Sequence, residues 1–259
     1  MGSMEDEKLP LTTHLEELRK RLIRVLVVVG LGFVACYALR EQLFTIITQP
    51  LAAVLPKGSH MIFTGLPEAF FIYMKIAFFA SLFLTSPYIF YQIWCFIAPG
   101  LYPQEKRHVV PFVLSSTLLF IAGVLFGYYV ALPPAFEFFV AFATDFLKPM
   151  ISFREYLSFS LKMLLAFGLS FELPVFIFFL ARLGIVNARM LRKQRRYAIL
   201  VIFIAAAFLT PSPDAFSQIL MAAPLMLLYE ISVFLARYAE KKRARQAVEA
   251  DEGDGNDGD

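Results

Sequence analysis

Residues 68–97 read EAFFIYMKIAFFASLFLTSPYIFYQIWCFI, and this stretch decides the fold class. It carries one carboxylate, at its first position, and one ammonium, Lys75. A helix crossing the hydrocarbon of a bilayer needs about 20 mostly apolar residues. The stretch exceeds that length, and no soluble core would demand so long an uncharged run. Pro87 inside it predicts a kink rather than a break.

The same pattern recurs on both sides. Apolar runs occupy about 22–39, 108–130, 156–181, 197–210 and 215–236, with Pro174 and Pro224 inside the fourth and sixth spans. The chain of 259 residues is 59% hydrophobic and 17% charged, with mean hydropathy +0.65. Soluble domains average about 45–50% apolar and about 25% charged. The expectation is an all-α integral membrane protein with six transmembrane helices, the fifth and sixth unusually short. Tyr197 to Leu209 gives only about 20 Å of helix, against a core of about 30 Å, so local thinning of the bilayer is expected there.

Three parts follow along the chain. Residues 1–21 form a cytoplasmic segment with an amphipathic helix over 11–21, since Leu11, Leu15, Leu18 and Leu22 recur at helical spacing. Thr12 or Thr13 is its expected cap. Met1-Gly2-Ser3 reads as a remnant, and the run from Leu22, which has no cleavage site, as a retained span. Residues 22–236 form the six-helix domain. Its outer segment, 40–67, has Pro50, Pro56 and Pro67 as breakers, and 132–154 reads as a mixed loop, either irregular or holding a short interfacial helix. Residues 237–259, ending EADEGDGNDGD, read as a charged, disordered cytoplasmic tail.

Orientation follows from the cations. With the N-terminus inside, 18 of the 24 Lys and Arg fall on cytoplasmic segments, among them Arg19, Arg21, Arg24, Arg192, Arg195 and Arg237. Arg40, Lys57, Lys148 and Arg154 remain outside. The bias places both termini in the cytoplasm, which six spans allow. Cys36 and Cys95 then lie near opposite faces and cannot pair. No Cys or His spacing suits a metal, and no cofactor is expected.

Several polar residues invite a role. Glu172, in Phe171-Glu172-Leu173-Pro174, lies near mid-depth of span four, where a charge is costly. It serves as a structural hydrogen-bonding acid, as a docking point for a partner helix or as a proton-sensitive switch. Glu230 in span six either snorkels or takes part in function. Thr210, Asp214 and Gln218 cluster at the five–six turn, where turn chemistry alone accounts for them equally well. On the cytoplasmic face, Glu17 can pair with Arg21 four residues on, and Glu105 can favour the start of span three after Pro103. Together the two acids suit a ligand with adjacent arginines, because guanidinium binds carboxylate bidentately.

The strings Thr13-His-Leu-Glu-Glu-Leu-Arg-Lys-Arg-Leu22, Gln92-Ile-Trp-Cys-Phe-Ile-Ala-Pro-Gly-Leu-Tyr102, Phe167-Gly-Leu-Ser-Phe-Glu-Leu-Pro174 and Asp214-Ala-Phe-Ser-Gln218 resemble the TatC family. That family is the polytopic core of the twin-arginine protein translocase. The resemblance covers about residues 8–240. It implies a receptor in the bacterial inner membrane for twin-arginine signal peptides of folded cargo, working with single-span TatA/TatB-type partners and the proton-motive force. Self-association in membrane lipid is implied too, and neither catalysis nor nucleic acid enters. It also implies that Glu17, Arg19 and Glu105 bind signal peptide, that Glu172, Thr210 and Gln218 dock a partner helix, and that Pro50 is the outer-loop proline. The turn Thr210-Pro-Ser-Pro-Asp214 is one residue longer than the commoner form. A proton-coupled solute transporter is the alternative, since broken helices and a midplane acid occur there. No internal repeat supports it. An intramembrane enzyme is disfavoured because no HExxH, GxSxG or paired intramembrane aspartates occur.

Overall fold

The computed structural model describes residues 9–54, 62, 65, 67–97, 109–141, 151–209 and 215–254. Among them the chain is helical apart from turns and one isolated bridge, Ile62 with Ser152. The helices are α1 (Leu9–Ala38), α2 (Arg40–Ala52), α3 (Glu68–Ile97), α4 (Val109–Phe126), α5 (Leu132–Val140), α6 (Phe153–Ser170), α7 (Leu173–Arg182), α8 (Ala188–Lys193), α9 (Arg195–Leu209) and α10 (Ala215–Asp254). Among the described residues, five runs are long and apolar enough to cross a membrane: Thr13–Ala38, Glu68–Ile97, Val110–Val140, Phe153–Arg182 and Gln218–Lys241. The sixth span is α9, whose 15 residues reach about 22 Å. The expected shortness is concentrated there. Large apolar side chains such as Leu31, Val34 and Phe208 are exposed, as lipid contact requires.

The chain forms two compact units, Met1–Ile121 with Ala143–Leu161, and Ala122–Phe142 with Lys162–Asp259. In the first, α1 and α3 pack antiparallel. The His14 ring stacks on Phe96 at 4.2 Å at one end. Further along, a Cβ on Gly32 would lie 2.9 Å from the Thr85 methyl, so only glycine permits the close approach. Ser81 and Thr85 donate back to Phe78 O and Ser81 O, each at 2.7 Å. Such bonds satisfy hydroxyls where no water reaches. At Pro87 the carbonyl of Phe83 loses its usual backbone donor, and the Ser86 hydroxyl donates to it at 2.8 Å. Helix α3 therefore passes through the proline.

At the other end of this unit, α2 is held by aromatic contacts. Phe44 stacks on Phe153 at 4.9 Å, and the Tyr156 hydroxyl donates to Ile47 O. Pro50 does not break the chain as expected. It sits buried inside α2, two residues from its end, so the helix stops soon after the backbone bond it removes.

Three other boundaries differ from the expectation. The amphipathic segment is not a separate surface helix with a Thr12 or Thr13 cap. Helix α1 starts at Leu9 and runs unbroken into the first span, because neither Gly nor Pro occurs between Leu11 and Val29. The mixed segment after residue 131 takes the helical of its two expected forms, and its helix follows α4 directly. A π-turn, Gly127–Ala131, joins α4 to α5, and this wider turn accommodates Pro133 and Pro134, which cannot donate to the preceding turn. Finally, the tail is helical through Asp254, in keeping with its Ala, Glu, Lys and Arg content over 239–250.

In the second unit, Gly123 and Gly127 bring α4 onto α6. A Cβ on Gly123 would lie 2.5 Å from Phe167 O. Helix α7 ends in a left-handed glycine, Gly184 with φ 77°, and the Ile185 N–H caps Leu180 O at 3.0 Å. Asn187 then caps α8 by accepting from the Met190 N–H at 2.7 Å. Helix α8 is pinned to α10 twice. Tyr229 donates to Leu191 O at 2.7 Å, and Glu240 accepts from the Ala188 N–H at 2.5 Å.

Candidate functional site

The sequence predicted a carboxylate pair for arginine recognition, and the structure describes one half of it. Helix α1 presents Glu17 toward α3 because Glu17, Arg21 and the α3 residue Gln92 lie along one packed seam. The Arg21 guanidinium reaches Glu17 Oε1 with Nε at 3.0 Å and Nη2 at 2.5 Å. Its Nη1 donates to Gln92 Oε1 at 3.1 Å. Both donors to Glu17 therefore converge on a single oxygen. Among the described residues, Oε2 receives no hydrogen bond. The Glu17 side chain keeps 33% of its exposure against 18% for Arg21. The acid is thus reachable from solvent while its cation is tucked against α3.

Glu16 behaves differently. It meets Lys20 at 3.8 Å with both side chains about 70% exposed, a pair of little energetic weight. Of the two acids, only Glu17 faces the neighbouring helix. Arg19 is exposed on α1.

Glu105 lies outside the described residues, as do Thr210 and Asp214. The ends of the segment carrying Glu105 are described. Ile97 closes α3 and Val109 opens α4. Trp94 stacks on Phe112 at 4.6 Å and donates to Ser116 Oγ at 3.1 Å. Both ends of that segment are therefore at the Glu17 end of the α1–α3 pair.

In the second unit, Glu172 occupies the break between α6 and α7 and is half-buried. The break exists because Pro174 cannot donate to Ser170 O. The turn is closed locally, with the Phe171 N–H on Phe167 O at 3.0 Å and the Phe176 N–H on Glu172 O at 2.9 Å. Gln218 is already engaged, donating from Nε2 to Phe203 O at 3.1 Å, so it clamps α10 to α9. Glu230 is ion-paired with Arg195 at the start of α9, with Nε on Oε1 at 2.6 Å.

Sequence reasoning missed Gln92 as a site residue. The signal was present as an amide in the last turns of an otherwise apolar span. It also missed a cleft of about 440 Å³ in the first unit, where Lys75 and Arg154 line the wall beside buried Glu68, which accepts the Gly65 N–H at 3.2 Å.

Comparisons with known proteins agree on one family. Residues 13–224 match the family described as Sec-independent protein translocase protein (TatC). The chain is 50% identical to the TatC of Desulforapulum autotrophicum over 250 residues, 96% of this chain and 92% of that protein. It is 43% identical to the TatC of Escherichia coli K12, covering 94% of each. A crystal structure described as the twin-arginine translocase receptor TatC superposes with TM-score 0.79 at 38% identity, over 87% of this chain and 99% of that one. These likenesses support protein translocation and not the solute-transporter alternative.

Proposed function

Since this chain belongs to the TatC family, multi-pass inner-membrane components of the Sec-independent protein translocase, we propose that it is the translocase subunit that receives twin-arginine signal peptides through Glu17. The observation that carries the proposal is the open Oε2 of Glu17. A guanidinium offers a planar fork of donors matched to a carboxylate. Arg21 uses one oxygen of Glu17 and leaves the other toward solvent, so a visiting arginine can add without expelling it. A second acid is needed for the second arginine. Glu105 is the candidate, since the segment that bears it leaves and re-enters the helices at the same end as Glu17. Arg19, exposed on α1 between Glu16 and Lys20, joins Glu17 and Glu105 in binding the incoming peptide.

Binding folded cargo through its signal, the subunit assembles with single-span TatA/TatB-type partners and uses the proton-motive force. Partner docking falls to the short α9 and the start of α10, with Thr210, Asp214 and Gln218, and to Glu172 at the α6–α7 break. The exposed apolar face of α9, including Leu200, Val201, Ile204 and Phe208, suits a lipid-embedded helix. Pro50 stiffens α2 on the opposite side of the membrane from Glu17.

The test is site-specific cross-linking of a labelled Arg-Arg signal peptide to the membrane-inserted protein. Glu17→Ala and Glu105→Ala should each reduce the adduct while insertion stays normal. Undiminished cross-linking in both variants would sink the proposal.

A further inference from the structure

We infer that the cytoplasmic end of α10, with α8 and the start of α9, binds the phosphodiester headgroup of an anionic phospholipid. A cleft of about 390 Å³ is lined there by Arg192, Arg195, Arg237, Glu230, Tyr229, Val233 and Phe234. The α10 members 230, 233, 234 and 237 follow the i, i+3, i+4, i+7 spacing of a single helix face. Three guanidinium groups thus meet one carboxylate. Glu230 is taken by Arg195. Among the described residues, the guanidinium groups of Arg192 and Arg237 make neither an ion pair nor a hydrogen bond. Among the described residues, no protein group neutralises the two surplus positive charges of the cleft.

Arginine, rather than lysine, suits the two free oxygens of a phosphodiester, which its planar fork can grip together. Basic pockets between transmembrane helices on the cytoplasmic side are where anionic headgroups settle. The floor and rim also point to a lipid rather than a free anion. Val233 is buried, Tyr229 has spent its hydroxyl on Leu191 O, and Phe234 is 68% exposed. An acyl chain has an apolar surface to follow next to the charge. The depth agrees as well. Arg195 opens α9, the span that reaches only about 22 Å, and its partner Glu230 lies about 10 Å along α10 from Arg237. A headgroup at the interface meets Arg192 and Arg237, with Arg195 deeper at the start of the short α9.

This site is independent of signal-peptide recognition, and its test can fail without touching that reading. The purified full chain in detergent is mixed with phosphatidylglycerol, with phosphatidylcholine, or with phosphatidylglycerol plus inorganic phosphate, and retained lipid is counted by native mass spectrometry. Arg192→Gln combined with Arg237→Gln should lower phosphatidylglycerol retention on the order of tenfold. Arg189→Gln combined with Lys193→Gln removes the same charge from α8 outside the cleft and should leave retention unchanged. Glu230→Gln releases Arg195 and should raise it. Equal losses in the two double variants would reduce the effect to general charge and overturn the site. Equal retention of phosphatidylcholine would overturn it too, and displacement of the lipid by inorganic phosphate would show an ion site instead. If the Arg192/Arg237 variant aggregates on size exclusion, Glu230→Gln decides, and no gain in retention refutes the inference.

Discussion

Two carboxylate–arginine pairs in this protein share one pattern, both donors on a single carboxylate oxygen, and differ in their burial and in the charge around them. Glu17 and Arg21 share one helix, and their geometry is held from outside by Gln92 of α3. Glu230 and Arg195 join two helices and lie open, with side chains 48% and 56% exposed. At the first pair the cation is the more buried partner and an oxygen of the acid is open. At the second both donors again meet one oxygen, Oε1, but two further arginines stand beside the pair without a described partner. The balance of charge left over, rather than the presence of an ion pair, sets the ligand: a guanidinium at Glu17, a phosphodiester at Glu230.

The sharpest way to break this contrast is to neutralise the first acid without changing its shape. Glu17→Gln keeps an acceptor oxygen but loses the charge that strengthens its hydrogen bonds. Bonds to charged groups contribute about 1.5–3 kcal/mol, so affinity for an Arg-Arg peptide should fall at least tenfold. Titration of a fluorescent signal peptide against the purified protein measures it, and an unchanged dissociation constant would mean that Glu17 is a structural acid only. A smaller effect is expected from Gln92→Leu. Without its acceptor on α3, the Arg21 fork is free to close over both oxygens of Glu17, and the visiting guanidinium then meets an occupied carboxylate. The loss should be about threefold to fivefold, in line with one neutral acceptor at about 0.5–1.5 kcal/mol. An equal loss in the double variant Gln92→Leu/Glu17→Gln as in Glu17→Gln alone would show that Gln92 acts only through Glu17.

The same contrast explains what the sequence could and could not disclose. The spans were legible because lipid imposes length and apolarity on every crossing, and residues 68–97 carry both with the helix bounds of α3 unchanged. Breaks were harder. Pro87 and Pro174 look equivalent as letters. Ser86 donates to the carbonyl stranded at Phe83 and α3 continues, whereas the Ser170 hydroxyl turns back to Ala166 O at 2.6 Å and the helix ends. Pro50 was read as a breaker because its burial in α2 depends on contacts with distant aromatics such as Phe153. At the site, Glu17 and its i,i+4 partner were readable from spacing alone. Gln92 was not, since its role depends on the antiparallel register of α1 on α3, set by Gly32 against Thr85. The arginine surplus at Glu230 was hidden for the same reason. Its members come from three helices, and the positive cytoplasmic bias supplied a general explanation for each of them.

The smallest expected effect is the most discriminating for the two ion pairs. Removing the cation from a half-buried pair leaves an acid partly desolvated, while removing it from an open pair leaves an acid in water. Arg21→Ala should therefore destabilise the protein by about 1 kcal/mol, near the upper end for partly exposed pairs. Arg195→Ala should cost about half of that or less, because solvent and salt screen an exposed pair at the ionic strength of ordinary buffers. Thermal unfolding in detergent at low and high salt reads both. The Arg195→Ala cost should vanish at about 0.5 M salt, where the screening length drops to a few ångströms, and the Arg21→Ala cost should persist. If the order reverses, Glu230 is the desolvated acid, its arginines are structural, and the assignment of two opposite ligands to the two pairs fails at its root.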